Sequence, residues 1–262
     1  MNTEQILFRC SQLGKLMTEP KSKSETLSET TKDYLLEIFI NEKYGRYESI
    51  ANKYVEKGKH REEDSITLVS RYFKKMFKKN DVRLTNDYLT GEPDIFEGET
   101  IQKAIHTIDT KTSWSMQTFF RSQKGLDKMH YWQGQGYMAL TGASTHSVAY
   151  CLVNSPDNAI TDEKKKLAYI MHVLDPGAKD NDEYIRKCKQ IEINHIFDIQ
   201  AFLNECPWFE FDNDVNDWQW DVPAMQRIYI HTFERNDEDI ERLFKRIADS
   251  REYIETLNSR VK

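Results

Sequence analysis

Apolar residues recur along this chain with two different periods, and the changes of period mark where its elements begin and end. Between Thr31 and Tyr44, Leu35, Ile38 and Phe39 share one face at helical spacing and Gly45 supplies a stop, so a helix is expected there. A second helical pattern runs from about Ile50 to Phe77, with a break expected near Gly58. Its second half sets Ile66, Val69, Phe73 and Met76 in one stripe and leaves Lys74, Lys75, Lys78 and Lys79 outside it. Ahead of these, residues 4–17 read as a short element anchored by Ile6, Leu7, Phe8, Leu13, Leu16 and Met17. The polar run Thr18–Thr31 reads as a mobile connection.

The period then shortens. Val82–Leu89, Asp94–Phe96 and Ile101–Thr110 have strand character, with turns at Gly91-Glu92-Pro93 and Glu97-Gly98. A helix is expected over about Leu126–Leu140, followed by Ser147–Val153 (SVAYCLV), the strongest buried-strand candidate. Ile160–Ile170 and Ile191–Leu203 read as helices and Arg227–Phe233 as a strand. Asp237–Leu257 reads as a final amphipathic helix carrying Ile240, Leu243, Phe244, Ile247, Tyr253 and Ile254. No internal repeat is seen. The order predicts an α/β fold, a mixed β-sheet flanked by helices.

Composition narrows the class. The 262 residues suit one large domain, or one with an appended subdomain, and 39% apolar with 31% charged residues is a globular balance. No apolar run approaches the roughly 20 residues that span a bilayer, and MNTEQILFRC lacks the apolar stretch of a signal peptide, so a cytoplasmic protein without membrane contact is expected. Cys10, Cys151, Cys188 and Cys206 have no paired spacing, which argues against a disulfide framework, a zinc ribbon or an iron–sulfur cluster. The net charge of −6 hides an asymmetry. Residues 51–80 carry nine Lys/Arg against four Asp/Glu, and residues 201–262 carry eight against fourteen. One face can therefore attract a polyanion while the whole stays acidic.

Candidate chemistry concentrates in LTGEPDIFEGETIQKAIHTIDTKTSW, Leu89–Trp114. On a strand, Asp109 and Lys111 point to one face and Thr110 away. Asp94, on the preceding strand of the hairpin, comes opposite Asp109. Two adjacent carboxylates repel unless one stays protonated or a divalent cation sits between them, and oxygen-only ligands suit Mg²⁺ or Mn²⁺. Glu62 precedes Ile66 by four and Val69 by seven, so it extends the inward stripe of its helix, whereas Glu63 lies about 100° round toward solvent. Gln133 shares a helix face with Met129, Gly136 and Tyr137. His60, His106, His130 and His146 have no ligand spacing. Trp114, Phe119, Phe120 and Tyr131 could stack on bases, although core packing is the plainer reading for them.

Gly91-x-Pro93-Asp94 followed by an apolar strand ending Asp109-x-Lys111 resembles the core of the PD-(D/E)XK nuclease superfamily, with its restriction-endonuclease-like mixed sheet. Within it, the arrangement is similar to the lambda exonuclease and YqaJ-like viral recombinase nucleases. Those have Gly-x-x-x-Glu on the preceding helix, matched by Gly58 and Glu62, and Gln-x-Gln-x-x-Met after the lysine strand, matched by Gln133, Gln135 and Met138. They also have an N-terminal Arg-x-Ser, matched by Arg9 and Ser11. The match covers about residues 8–153 and leaves 154–262 as a partly helical C-terminal extension of a single 1–262 domain.

The resemblance implies that Glu62, Asp94, Asp109 and the Thr110 backbone carbonyl hold Mg²⁺, with Mn²⁺ as a substitute. Lys111 would position the attacking water and Gln133 support the lysine or a phosphate. Arg9 and Ser11 would bind DNA, for which Lys74, Lys75, Lys78 and Lys79 are further candidates. The implied activity is resection of linear double-stranded DNA from its ends, 5′ to 3′, for a single-strand-annealing recombinase of a phage, with a homo-oligomer, a trimeric ring, as the implied assembly. Aspartate stands at 109 where the nearest relatives usually carry glutamate. Two other readings remain open: a structure-specific or restriction-type endonuclease of the same fold, and a non-catalytic DNA-binding protein with a degenerate site.

Overall fold

The computed structural model describes residues 2–47, 53–173 and 181–261. Strand β1 (Phe8–Arg9) and the single turn α1 (Leu13–Leu16) lead through an irregular connection to helix α2 (Glu29–Tyr44). The Ser28 hydroxyl accepts from the Thr31 N–H at the start of α2, and Gly45 ends it with φ 61°. The connection expected to be mobile is tied down at its far end. Leu27 is buried, and the Thr18 and Thr31 hydroxyls both donate to the Lys15 carbonyl.

The long helical pattern that follows is two helices, α3 (Lys53–His60) and α4 (Glu62–Phe73); Ile50–Asn52 lie outside the described residues. The break falls at Arg61 rather than at Gly58. Arg61 is buried and its guanidinium is drawn to Asp64 one turn on and, across the fold, to Glu205 and the Ser155 carbonyl. Helix α4 stops at Phe73 because Lys74 turns left-handed (φ 52°). Met76 is therefore off the stripe it was assigned to and stands 90% exposed.

Two short strands, β2 (Leu84–Thr85) and β3 (Leu89–Gly91), replace the single strand expected over Val82–Leu89. Between them the Asn86 side chain accepts the N–H groups of Tyr88 and Leu89, a local bond that competes with the ladder. They form a small sheet in the order β1-β3-β2, with β1 parallel to β3. The main sheet runs β4 (Ile95–Gly98), β5 (Ala104–Thr112), β6 (Thr145–Cys151), β7 (Ile228–Glu234), in that order. The β5–β6 pair is parallel and both outer pairs are antiparallel. Helices α5 (Met116–Ser122) and α6 (Lys128–Thr141) make the crossover that a parallel pair requires; α5 carried no sequence expectation. Then come α7 (Asp157–Ile170), α8 (Asp182–His195), α9 (Ile199–Glu205) and α10 (Asp237–Arg260). The helix expected over Ile191–Leu203 is split, because Ile196 is extended and the Asp198 side chain caps α9 at the Ala201 N–H.

Helix α4 covers one face of the main sheet with Ile66, Leu68 and Val69 against Ile95, Ile108, Ala149 and Cys151. Helix α6 lies on the other face and also closes the N-terminal cluster, where Trp132 and Tyr137 meet Phe8, Leu13, Leu89 and Leu243. The close approach of α6 to β6 and β7 depends on Gly134, where a Cβ would stand 2.4 Å from the His146 ring and 2.5 Å from Phe233. The C-terminal extension is not a separate body: it supplies β7 to the main sheet, and α10 puts Leu243, Ile247 and Ile254 into the N-terminal core.

Candidate active site

Strand β5 carries Asp109 and Lys111 on the face covered by α6. Asp109 is only 3% exposed. The Lys111 ammonium stands 2.5 Å from Asp109 Oδ2 and donates to Gln133 Oε1 at 3.0 Å. Gln133 Nε2 in turn donates to Asp109 Oδ1 and to the Tyr137 hydroxyl, both at 2.9 Å. Acid, lysine and amide thus close a ring, with the amide orientation set by having one acceptor and two receivers of its protons. The ammonium meets Oδ2 off the hydrogen-bonding direction, so that buried oxygen has ionic contact but no hydrogen-bond donor. An oxygen in that state is costly to bury and suited to a cation.

Asp94 immediately precedes β4, and the pairing of Ile95 with Ile108 brings it level with Asp109. Its Oδ2 accepts from the Thr110 N–H at 2.6 Å and the Thr110 hydroxyl at 2.7 Å. Thr110, expected only to face away and lend its carbonyl, therefore also grips Asp94. Burial, and then the Asp109 charge, push the Asp94 carboxyl up to about 7; the Thr110 bonds and Lys111 pull the other way. Two adjacent acids, Asp109 buried and Asp94 half-buried, that cannot both ionise comfortably are the arrangement a divalent cation relieves, and their donor set is all oxygen. The Asp94–Asp109 pair therefore fits Mg²⁺ or Mn²⁺.

Glu62 and Glu63 divide as the helical spacing implies, Glu62 half-buried and Glu63 exposed. The structure does not, however, bring Glu62 into the carboxylate pair. Its Oε2 is held by the Lys79 ammonium at 2.8 Å, and among the described residues no group of three or more His, Cys, Asp or Glu side chains is assembled to hold a metal. Lys75 pairs with Glu97 at 3.0 Å, while Lys74 and Lys78 are exposed on the same loop. Arg9 and Ser11 are exposed beside the small sheet, Arg9 level with Thr90 across the β1–β3 ladder. Phe119 is in the core and the Tyr131 hydroxyl donates to Asp239, whereas Phe120 is exposed and Trp114 lies edge-on to His195.

Asn80 was missed from the sequence. Its backbone N–H donates to the Asp94 carbonyl at 2.8 Å and its side chain to the Pro93 carbonyl at 2.9 Å, so it fixes the turn that carries the acid. Only its placement after four lysines, at the end of a helical pattern, could have drawn notice. His130 hydrogen bonds to the Tyr150 hydroxyl at 2.7 Å, and burial holds its imidazole down at about 4, hence neutral at pH 7.

No protein-family model matches the chain, and no curated protein matches it in sequence. Solved structures do. A phage-related exonuclease from Haemophilus somnus 129PT aligns over 100% of this chain and 99% of its own, at 26% identity and a TM-score of 0.70. An alkaline exonuclease from Laribacter hongkongensis aligns over 98% of this chain and 94% of its own, with 13% identity and a TM-score of 0.57. The same enzyme in complex with dAMP aligns with a TM-score of 0.55 at 14% identity. The Laribacter likeness is one of fold.

Proposed function

We propose that this chain, which belongs to the lambda-exonuclease-like branch of the PD-(D/E)XK nucleases, removes nucleotides from the ends of linear duplex DNA with Mg²⁺ as cofactor, working 5′ to 3′. The carrying observation is the ring of Asp109, Lys111 and Gln133 set against Asp94, in a fold that aligns end to end with a phage-related exonuclease.

Asp94 and Asp109 would hold the metal, joined by the Thr110 carbonyl and by Glu62 once it leaves Lys79. Bound Mg²⁺ supplies neutralisation of the scissile phosphate and acidifies a coordinated water. The chain's own residues do the rest. The Lys111 ammonium has three N–H groups; one donates to Gln133 and Asp109 holds the ammonium by charge, which leaves donor capacity for a water or a phosphate oxygen at the strand end. Gln133, braced by Tyr137, keeps the ammonium from swinging away. The loop Lys74–Lys79 would follow the DNA backbone without reading sequence, and the exposed Arg9 and Ser11 are candidates for a terminal phosphate. The single strands released are the substrate that a strand-annealing recombinase requires, and a homo-oligomer enclosing the duplex would keep the enzyme on it.

The test is a linear duplex labelled at its 5′ or 3′ terminus beside a closed circular plasmid, with Mg²⁺, Mn²⁺ or EDTA. Metal-dependent loss of the 5′ label first, with the circle intact, is expected. Nicked or linearised circles would replace the exonuclease reading by an endonuclease, and no cutting in either metal would leave a DNA-binding protein.

A further inference from the structure

Helix α4 opens with three acids, and each has a different fate. Asp64 turns back to Arg61, Glu63 is exposed, and Glu62 is taken by Lys79 at 2.8 Å. Glu62 lies one turn ahead of Ile66, whose side chain packs with Ile95 and Ile108, so its stem starts on the face that covers β4 and β5. An acid rooted on that face is held by a lysine, while Asp94 and Asp109 stand level with each other across the β4–β5 pair.

Lys79 is held in place from the other side. Asn80, the next residue and only 4% exposed, is bonded through its backbone to Asp94 and through its side chain to Pro93. Lys79 is therefore stapled to the turn that carries Asp94 and also ends the basic loop that begins at Lys74. The Lys79–Glu62 pair is 43% and 22% exposed at its two side chains, so it is open to exchange with an incoming phosphate.

We propose that Lys79 is a positioning residue that keeps Glu62 off the Asp94–Asp109 site until a DNA phosphate takes the ammonium, which frees Glu62 to complete the metal site. The inference rests on the nuclease reading above. It makes metal and DNA binding mutually reinforcing: each removes a competitor of the other, and the linkage must be reciprocal.

Mn²⁺ binding to the full, metal-free chain, read from the EPR signal of the free ion, tests this without turnover. Lys79→Gln should tighten Mn²⁺ binding by about two- to fivefold, the range an exposed ion pair spans. In a Glu62→Gln background the same substitution should change nothing, because no acid remains to be released. With Lys111→Ala added to prevent cleavage, a short duplex should enhance Mn²⁺ binding less in Lys79→Gln than with Lys79 present, by that same factor. An equal gain with and without Glu62 would reduce the effect to loss of a nearby charge and overturn the proposal. No gain at all would overturn it too. Asp109→Asn separates the two readings: if it binds Mn²⁺ as the unmodified chain does, the site assignment itself fails, whereas loss of binding there with no effect of Lys79→Gln fails only the inference drawn here.

Discussion

The two flanks of β5 treat charge in opposite ways. On the α6 flank, Asp109, Lys111, Gln133 and Tyr137 are locked by mutual bonds of 2.5–3.0 Å, with Asp109 and Gln133 almost fully buried. On the α4 flank, Glu62 and Lys79 meet as one half-exposed pair. Burying an acid is tolerable only where partners satisfy it, and the ring supplies them while leaving one Asp109 oxygen with an ionic contact but no hydrogen-bond donor. A half-exposed pair is worth about 0.2–1 kcal/mol and exchanges readily. The first flank is closely bonded and rigid; the second is the looser of the two.

The sharpest way to break this contrast is to open the ring. Asp109→Ala or Lys111→Ala is expected to lower cleavage by about a thousandfold or more, with the circular dichroism spectrum unchanged, because the water and the metal lose their nearest supports. Full activity in both variants would remove the site from β5. Glu62→Ala should cost about a hundredfold and Glu63→Ala less than about twofold, measured as initial rates on labelled duplex; the reverse order would show that the wrong acid faces inward. Gln133→Leu should lower the rate by about ten- to a hundredfold, since Lys111 then loses its second anchor.

The smallest effect is on stability and has a definite sign. With its folded carboxyl pushed up to about 7 against an ordinary value of 3.8, Asp94 binds its proton more tightly in the folded than in the unfolded chain. Its contribution is then fully present below about pH 4 and is lost as pH rises toward 7. Asp94→Asn should therefore raise the melting temperature of the metal-free protein by about 3–6 °C at pH 8 and leave it nearly unchanged at pH 4. Burial holds His146 at about 3 and His130 and His195 at about 4, so all three destabilise the fold as pH falls below 6.5. They do so in both proteins, and the difference isolates Asp94. Saturating Mg²⁺ should reverse the ranking at pH 8.

Much of this site was legible because its determinants are local. Alternation along the strand read at Ile101–Thr110, which the structure places at Ala104–Thr112 after a 3-10 turn, fixes which residues share a face, and the i, i+4 spacing of Gln133 and Tyr137 fixes another, so the pairing of Asp109, Lys111 and Gln133 follows once β5 and α6 pack. The roles of these residues came from a family resemblance, which periodicity alone does not supply. What was illegible depends on contacts between distant parts of the chain. The break at Arg61 is set by Glu205 and Ser155, far along the sequence. Met76 leaves its helical stripe because one lysine turns left-handed. Glu62 is half-buried where Glu63 is exposed, yet it meets Lys79 rather than the carboxylate pair, because Asn80 steers the loop onto the Pro93–Asp94 turn.

The most direct measurement is an anomalous difference map from crystals of the chain soaked in Mn²⁺. A peak within coordination distance of the Asp94 and Asp109 carboxylates, absent from Asp109→Asn crystals, is the result this account predicts. A bare carboxylate pair with Mn²⁺ bound elsewhere, in protein that still degrades linear DNA with Mn²⁺, would contradict it.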